Sequence, residues 1–279
     1  MATPTLTKTT LPGAHGEILV DVRSAQRATP GPAVVVLHGF KGFKDWGMFP
    51  PLADRLARAG FTAVSCNVSG SGVDDGGRFA YPERFGHNSF TSEVADVTAV
   101  VAALDRGELG VSRPSSVGIV GHSRGGGTSI LLAQRTPRIA ALATWASIST
   151  VRRWSAEQCG LWRAQGKLDI VNARTGEVLP MYLDTLEDVE ANAEASLDIA
   201  AAAGRITTPW LLVHGDADEA VPVAEAKRLL AAASQTKVEP LIIPGAGHTF
   251  GAVHPFAGMT PALERAFDST TAFFGRHLT

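Results

Sequence analysis

A serine flanked by glycines stands where a strand-like run meets a helix-like segment. The stretch is Gly121-His122-Ser123-Arg124-Gly125, preceded by the apolar residues 116–120. Glycine-x-serine-x-glycine in this context forms a sharp turn that exposes the hydroxyl for nucleophilic attack, and a helix N-terminus favours the developing negative charge. We predict Ser123 to be a nucleophile. The alternative is a glycine-rich turn with an incidental serine, so the prediction depends on partner residues.

A serine hydroxyl is a weak nucleophile, so it needs a base, and the base needs a carboxylate that orients it. His248 follows the strand-like run 238–243 and is the candidate base. Asp218 is the preferred acid because of its G-x-x-D-x-x-V-P spacing, although Asp216 and Glu219 lie in the same loop. One of these three acids could instead cap the following helix.

Two backbone amides are the candidates for stabilising a tetrahedral oxyanion. One belongs to Arg124, directly after the serine, and its side chain is expected to do no more than pack on the surface. The other belongs to Phe40, where the pair His38-Gly39 lets the backbone turn inward after an apolar run. His38 competes with His248 as the base, but its position before the serine favours a structural role.

These residues require elements that bring them to one edge of a sheet. Strand-like runs cover 17–22, 33–37, 61–68, 116–120, 140–146, 209–214 and 238–243, and helix-like runs cover 50–59, 91–105, 222–233 and 261–275. The alternation predicts an α/β domain with a mostly parallel sheet and helices on both faces. The candidate residues then lie at the carboxyl ends of strands, where such sheets bind ligands.

The alternation stops between about 150 and 205, which predicts a small cap insertion in a single domain of residues 1–279. An acidic amphipathic run over 184–200 predicts one helix there. Four tryptophans, two of them in the cap, could wall an acyl pocket: Trp46, Trp145, Trp154 and Trp162. The alternative for each is a place in the core, and it is strongest for Trp145.

Composition excludes several classes of protein. The chain has 279 residues, 45% of them hydrophobic, a net charge of −2 and no dense stretch of Lys or Arg, so we expect neither nucleic acid nor an anionic membrane as a partner. It shows no apolar run of membrane-spanning length and no signal peptide, so a cytoplasmic protein is expected.

Neither a metal nor a cofactor is expected. The histidines lack the paired spacings of common zinc sites, and the glycine-rich loops match no phosphate-binding pattern. The histidines considered are His87, His122, His214, His248 and His254.

The chain resembles the α/β-hydrolase superfamily over nearly its whole length. The resemblance rests on Leu37-His38-Gly39-Phe40, the Ser123 motif, Gly215-Asp216-Ala217-Asp218 with Val221-Pro222, and Gly245-Ala246-Gly247-His248. The chain order of serine, aspartate and histidine is that of the superfamily. The resemblance implies a triad of Ser123, Asp218 and His248 that acts through an acyl-enzyme.

Two further segments resemble particular branches. The segment 38–47 is similar to bacterial enzymes related to dienelactone hydrolases, and residues 67–79 are similar to a loop of cinnamoyl and feruloyl esterases. Dienelactone hydrolases carry cysteine where this chain has Ser123, which favours a serine carboxylesterase for small-molecule esters over a lactone-opening enzyme. If the tryptophans wall an acyl pocket, short or aryl acyl groups are expected. The alternatives are an amide or peptide hydrolase of the same fold and a non-enzymatic binding scaffold. The oligomeric state stays open.

Overall fold

The computed structural model of the protein describes residues 4–25, 30–172 and 176–278. Its strands are β1 (Thr5–Gly13), β2 (Gly16–Ser24), β3 (Ala33–Leu37), β4 (Thr62–Asn67), β5 (Val117–His122), β6 (Ile139–Trp145), β7 (Lys167–Val171), β8 (Val178–Tyr182), β9 (Trp210–Gly215) and β10 (Val238–Ile243). Its α-helices are α1 (Phe49–Arg58), α2 (Pro82–Gly86), α3 (Phe90–Arg106), α4 (Arg124–Arg135), α5 (Ala156–Gln165), α6 (Leu183–Asn192), α7 (Ile199–Ala203), α8 (Val223–Ala232) and α9 (Pro261–His277).

Eight strands form one sheet in the order β1-β2-β4-β3-β5-β6-β9-β10. β2 is antiparallel to both of its neighbours, while the pairs from β4 to β10 are parallel. The predicted strand at 17–22 and its pairing with the preceding Thr-rich segment agree with β1 and β2. This mostly parallel sheet, with helices on both faces, is the architecture that the alternation of strands and helices predicts.

Both faces of the sheet are covered, as the continuous apolar runs require. Along β3, Val34 and Val36 pack in a cluster with α1 and α9, whereas Val35 and Leu37 pack in a cluster with α3, α4, α7 and α8. Successive side chains of a strand point to opposite faces, so a strand inside two cores must be apolar at every position. The buried strands thereby hold their carboxyl ends, and the loops that follow, in fixed places.

Between β6 and β9 the chain forms a smaller unit. We call α5, β7, β8 and α6 the insertion (residues 156–192, of which 173–175 are not described). Strands β7 and β8 pair antiparallel as a separate two-stranded sheet. The insertion has its own apolar cluster, which includes Trp162, Leu179, Met181 and Leu186 and reaches Phe85 of α2.

The predicted helix over 184–200 is two helices in the structure. α6 ends at Asn192, and α7 begins at Ile199 after Asp198, whose carboxylate accepts the amide N–H of Ala201 at 2.9 Å as an N-cap. An aspartate bonds more readily to a free helix start than to a helix interior, so it ends the continuous pattern. α7 packs with α4 and α8 in the main core, so the predicted cap of 150–205 includes a helix of the main layer.

Within the described residues, no helix combines the length and the apolar character that a membrane span needs.

Candidate active site

Ser123 occupies the turn between β5 and α4, with φ at 58° and ψ at −121°. The Ser123 amide donates to the carbonyl of Trp145 at 2.8 Å, which holds the turn against β6. A Cβ on Gly121 would lie 2.2 Å from the Gly125 carbonyl oxygen, and a Cβ on Gly125 would lie 2.2 Å from that of His38. Side chains at these two positions would push the turn open, so the glycines allow the strained serine conformation.

The structure brings Ser123, His248 and Asp218 together. Nε2 of His248 lies 3.0 Å from Oγ of Ser123, and its Nδ1 lies 2.8 Å from Oδ2 of Asp218. Both distances are within hydrogen-bond reach, which is the criterion for a nucleophile, a base and an orienting acid. Each residue lies just beyond the end of a parallel strand, respectively β5, β10 and β9.

Asp218 is held as a carboxylate. Its side chain is fully buried, and its Oδ1 accepts the amide N–H groups of Ala220 and Val221, each at 2.9 Å. Burial alone would raise the pKa of Asp218, but the hydrogen bonds from His248 and from the Val221 amide outweigh it and lower the pKa. Asp216 is exposed and accepts the Gly245 amide, so it fastens the neighbouring loop, and Glu219 is also exposed.

Two buried histidines that the sequence analysis did not assign brace these loops. His122 ends β5, and its Nε2 donates to the carbonyl oxygen of His248 at 2.9 Å. Burial, followed by the nearby imidazole of His248, lowers the pKa of His122 to about 3, so it is neutral. His214 similarly donates from Nε2 to the carbonyl of Val221 at 2.8 Å, and burial lowers its pKa. Each is a polar residue at the carboxyl end of an apolar, buried strand. That position in the sequence could have identified both histidines as residues close to the site.

The loop with His38, Gly39 and Phe40 lies directly against the serine. A Cβ on Gly39 would be 2.8 Å from Cβ of Ser123. The loop closes through a hydrogen bond from the Gly42 amide to the Gly39 carbonyl at 3.0 Å, with Lys41 at a φ of 56°. Its position fits the predicted oxyanion role of the Phe40 amide.

The Arg124 side chain is not on the surface, which corrects the sequence expectation. The residue is 5% exposed, and its Nε lies 2.8 Å from Oε1 of Glu93, which is also buried. The guanidinium stacks over the ring of Phe90. A sequence pattern at a helix start gives no sign of this burial, because the acid that pairs with Arg124 lies on another helix, α3.

Two cavities meet at the serine, with volumes of about 200 Å³ and 360 Å³. Both are lined by Phe40, Lys41, Ser123 and His248. Trp46 lines the smaller cavity and Trp154 the larger one.

The expectation that Trp145 and Trp162 wall the pocket needs correction, because both are fully buried. Trp145 packs against Phe250 and Phe267, and its indole N–H donates to Oγ1 of Thr270 at 2.9 Å. It ends β6, and its packing against α9 places the side chain in the core rather than in a cavity wall.

Trp162 is the centre of the insertion's own cluster rather than part of a cavity wall. Its indole N–H donates to the carbonyl of Met181 at 2.8 Å. The ring also lies edge-on to Trp154, with centroids 5.1 Å apart, so it supports the tryptophan that does line the larger cavity. The insertion is too small to have a core without its largest apolar side chain.

The other histidines lie apart from the serine hydroxyl or face away from it. His38 is buried, with Nδ1 2.9 Å from the Gly39 carbonyl oxygen, and burial lowers its pKa. His87 pairs with Asp184 at 2.9 Å, and the ring of His254 stacks on Trp46. Within residues 4–25, 30–172 and 176–278, no three His, Cys, Asp or Glu side chains converge in a group that could hold a metal ion.

A family model for the prolyl oligopeptidase family matches residues 49–279. The chain belongs to the prolyl oligopeptidase family. Among curated proteins it is similar to 2,6-dihydropseudooxynicotine hydrolase of Paenarthrobacter nicotinovorans, with 26% identity over 76% of this chain and 53% of that protein. The chain thus spans about half the length of this relative.

Solved structures show the α/β-hydrolase fold. Est1E from Butyrivibrio proteoclasticus has a TM-score of 0.69 at 16% identity, covering 97% of this chain and 98% of its own. Dienelactone hydrolase from Anabaena variabilis has a TM-score of 0.66 at 16% identity, covering all of both chains. A puromycin-hydrolysing peptidase of Mycobacterium tuberculosis has a TM-score of 0.69 at 22% identity, covering 99% of this chain and 39% of its own. Family and fold together support a hydrolase of the α/β-hydrolase superfamily.

Proposed function

We propose that the protein is a serine hydrolase that cleaves small carboxylic esters through an acyl-enzyme. The observation that carries the proposal is the relay of two contacts, 3.0 Å from Ser123 to His248 and 2.8 Å from His248 to Asp218. Such a relay gives an unreactive hydroxyl a base in hydrogen-bond reach and fixes the tautomer of that base.

In the first half-reaction, Oγ of Ser123 attacks the ester carbonyl carbon while Nε2 of His248 accepts the hydroxyl proton. The carbonyl oxygen becomes an oxyanion, for which the amides of Phe40 and Arg124 are the proposed donors. Asp218 stabilises the imidazolium through Nδ1 without taking its proton. The carbon–oxygen bond to the alcohol then breaks, and His248 gives its proton to the departing alkoxide oxygen.

In the second half-reaction, water replaces the alcohol. His248 accepts a proton from the water as its oxygen attacks the acyl carbon, and it returns that proton to Oγ of Ser123 when the ester bond to the serine breaks. The carboxylic acid leaves, and the site is restored. This chemistry needs no group beyond the residues named.

The size and lining of the cavities support small or aryl acyl groups. The larger cavity, about 360 Å³, is near the lower end of the range for small-molecule sites and has aromatic walls from Phe40, Phe90 and Trp154. Flat rigid side chains of this kind favour apolar and aromatic ligands. We propose that Trp154, supported by Trp162 of the insertion, limits the length of the acyl chain.

A second candidate is the hydrolysis of amide or peptide bonds. It is favoured by membership of the prolyl oligopeptidase family, and a puromycin-hydrolysing peptidase shares the fold. The ester proposal accords with two proteins of the same fold, Est1E, which has been solved with ferulic acid bound, and a dienelactone hydrolase, because a lactone is a cyclic ester. The same relay can serve either bond, because both reactions pass through a tetrahedral oxyanion.

Matched substrates separate the two candidates. We would measure kcat/KM for para-nitrophenyl esters of acetic, butyric, benzoic and decanoic acids, and for the para-nitroanilides of the same acids. The proposal predicts turnover of the short and aryl esters, little turnover of the decanoate, and ester rates that exceed those of the matched anilides.

Ser123→Ala is the control, and it should lower kcat by at least about 10⁴-fold without changing the circular dichroism spectrum. Faster cleavage of the anilides would favour the amide reaction. Turnover that persists in the alanine variant would exclude the serine mechanism. Failure to cleave either series, with Ser123 unreactive to a fluorophosphonate, would favour the binding scaffold.

A further inference from the structure

The buried side chain of Arg124 joins the two residues whose amides are the proposed oxyanion donors. Arg124 is the first residue of α4, and its guanidinium carbon lies 3.7 Å from the ring centroid of Phe90 and 5.7 Å from that of Phe40. Cations at these distances from aromatic rings are attracted by the ring quadrupole. The side chain of Arg124 therefore extends from the backbone that carries one proposed donor towards Phe40, whose backbone N–H is the other.

Glu93 anchors the far end of this connection. Its Oε1 lies 2.8 Å from Nε of Arg124 and accepts the Asn88 side-chain amide at 2.7 Å, while its Oε2 accepts the Thr128 hydroxyl at 3.2 Å. Thr128 lies one turn after Arg124 on α4. Glu93, a residue of α3, thus contacts Arg124 and Thr128 of α4 as well as Asn88, and it ties the guanidinium to both helices.

Stacking, more than directed hydrogen bonding, determines the orientation of the guanidinium plane. Among the described residues, Nε and Nη2 of Arg124 have no partner with hydrogen-bond geometry, although Nε is within ion-pair distance of Glu93. The Phe40 ring contacts the ring of Phe85 as well, with centroids 5.5 Å apart. The side chain of Phe40 therefore packs against an aromatic ring in addition to its cation–π contact with Arg124.

The loop that carries Phe40 needs such support. It lies between β3 and α1 outside any helix or strand, with a left-handed residue at Lys41. An oxyanion hole works only if its two donors keep a fixed separation, because donors arranged before the reaction cost no reorganisation during it. The Ser123 turn fixes the Arg124 amide, whereas the Phe40 amide depends on packing.

We propose that Arg124 is a positioning residue whose side chain, paired with Glu93, stacked on Phe90 and within cation–π range of Phe40, holds the two oxyanion-hole amides in register. This inference rests on the proposed serine hydrolase function. Its experiment therefore includes a reaction at Ser123 that does not depend on the choice of ester.

The decisive variant is Arg124→Met, which keeps the backbone N–H and removes the planar cation. We expect kcat for para-nitrophenyl butyrate to fall about 10- to 100-fold, which is no more than the fall in kcat that follows removal of one oxyanion donor. KM should change by less than about threefold. Arg124→Lys should restore little of the rate, because an ammonium group cannot replace a stacked guanidinium.

Fluorophosphonate labelling gives the second measurement. Oγ of Ser123 forms a bond to phosphorus, the phosphorus–fluorine bond breaks, fluoride leaves and His248 accepts the proton. The phosphonyl oxygen takes the place of the oxyanion, so the second-order labelling rate should fall by the same factor as kcat. A wild-type protein that is labelled but cleaves no ester would contradict the ester proposal, and the labelling rates of the variants would still decide the role of Arg124.

Arg55→Met is the matched control. Arg55 also stacks on a phenylalanine, Phe267 at 5.3 Å, and pairs with Glu264 and Asp268, but it lies on α1 outside the site. It should change thermal stability without changing kcat or the labelling rate. If Arg124→Met does not fold, Glu93→Gln decides the question, because it keeps the shape of the pair and should lower both rates in the same direction.

Three results would overturn the proposal. One is a loss of thermal stability in Arg124→Met with kcat and labelling rate unchanged, which would make the pair merely structural. Another is a rise in KM confined to acyl groups that carry a carboxylate, which would make Arg124 a substrate contact. The third is a wild-type protein whose Ser123 is not labelled at all.

Discussion

The central sheet and the insertion bury their residues to very different extents. In β5 and β9 every residue is buried, whereas in β7 buried residues are absent and exposed ones alternate with half-buried ones. In α5 only Trp162 is buried, and Leu161, Val171 and Val178 of the insertion are each more than half exposed.

The difference assigns separate duties to the two regions. Ser123 and Asp218 follow β5 and β9, whose burial on both faces fixes the positions of these two residues. His248 follows the partly exposed edge strand β10 and is held by its hydrogen bonds with Asp218 and His122. The insertion contributes Trp162, which supports Trp154 at the larger cavity. Residues that need accurate contacts belong on rigid elements such as the central sheet. The lightly packed insertion is the region in which we propose that sequence changes alter the choice of acyl group.

The largest expected effect tests the acid that follows β9. Asp218→Asn should lower kcat by about 10⁴-fold, because the amide favours the wrong tautomer of His248. Asp216→Asn is the matched control two residues away, and its exposed side chain only accepts the Gly245 amide, so we expect less than about a tenfold loss. Steady-state kinetics on one ester would check both variants. Equal losses, or a larger loss at Asp216, would move the acid to Asp216.

The next prediction compares the stability lost on truncation of two fully buried tryptophans. Trp145 packs between the sheet and α9, and Trp162 lies in the insertion. Trp145→Ala should lower the free energy of unfolding of the whole chain by about 3–5 kcal/mol, the usual cost of such a cavity. Trp162→Ala should mainly open the insertion, with a smaller change in the main unfolding transition. Hydrogen exchange and chemical denaturation would measure both. An equal global loss for Trp162→Ala would mean that the insertion and sheet unfold as one unit.

Acid should lower the free energy of unfolding, because the main sheet and its loops bury neutral histidines. The pKa of His122 is about 3 in the folded protein and near 6.5 in an unfolded chain, so the unfolded state binds more protons between these values. The free energy of unfolding should therefore fall as pH falls from about 6.5, by up to about 1.4 kcal/mol per pH unit for this group. The lowered pKa values of His38 and His214 act in the same direction.

Denaturation curves at several pH values test this acid sensitivity. His122→Gln keeps a donor for the His248 carbonyl and removes the titrating group, so its stability should fall less steeply with acid than that of the wild type. The lowered pKa of Asp218 adds a loss of stability below its ordinary pKa near 3.8, in the same direction. Parallel curves for the two proteins would contradict the assignment of a neutral buried His122.

The smallest expected effect concerns selectivity. Trp154→Ala should enlarge the 360 Å³ cavity and raise the ratio of decanoate to butyrate kcat/KM about tenfold, because one or two extra methylene contacts are worth that much. Trp46→Ala alters the smaller cavity and serves as the comparison. If the ratio of decanoate to butyrate kcat/KM is unchanged in both variants, these tryptophans do not select the acyl chain.

The placement of Ser123, Asp218 and His248 after strands of the sheet could be predicted from the sequence because the signals for their turns are local. The glycines around Ser123 and the loop spacing at Asp218 specify turns that a few residues determine alone. The continuous apolar runs at 33–37 and 116–120 predicted buried parallel strands for the same reason. What these signals could not give is the distance between residues that are 125 positions apart, which depends on the packing of the entire sheet.

Other features depend on partners that are distant in sequence. The burial of Arg124 requires Glu93 and two phenylalanine rings from other segments, and no helix-start pattern reports them. The β7–β8 hairpin was missed because β7 has no buried residue and β8 buries only Leu179 and Met181, too few to give a clear alternating pattern. For Trp145 the sequence left a pocket wall and a core position as alternatives, because the end of a strand can face either the core or the site, and only packing decides between them.

Mapping the residue that a fluorophosphonate modifies tests the central claim most directly. Intact mass spectrometry should show one adduct per chain, and peptide mapping should place it on Ser123. Labelling should be absent in Ser123→Ala and greatly slowed in His248→Gln, because the hydroxyl then lacks its base. An adduct on any other residue, or ester turnover by Ser123→Ala near the wild-type rate, would contradict a nucleophile at the end of β5.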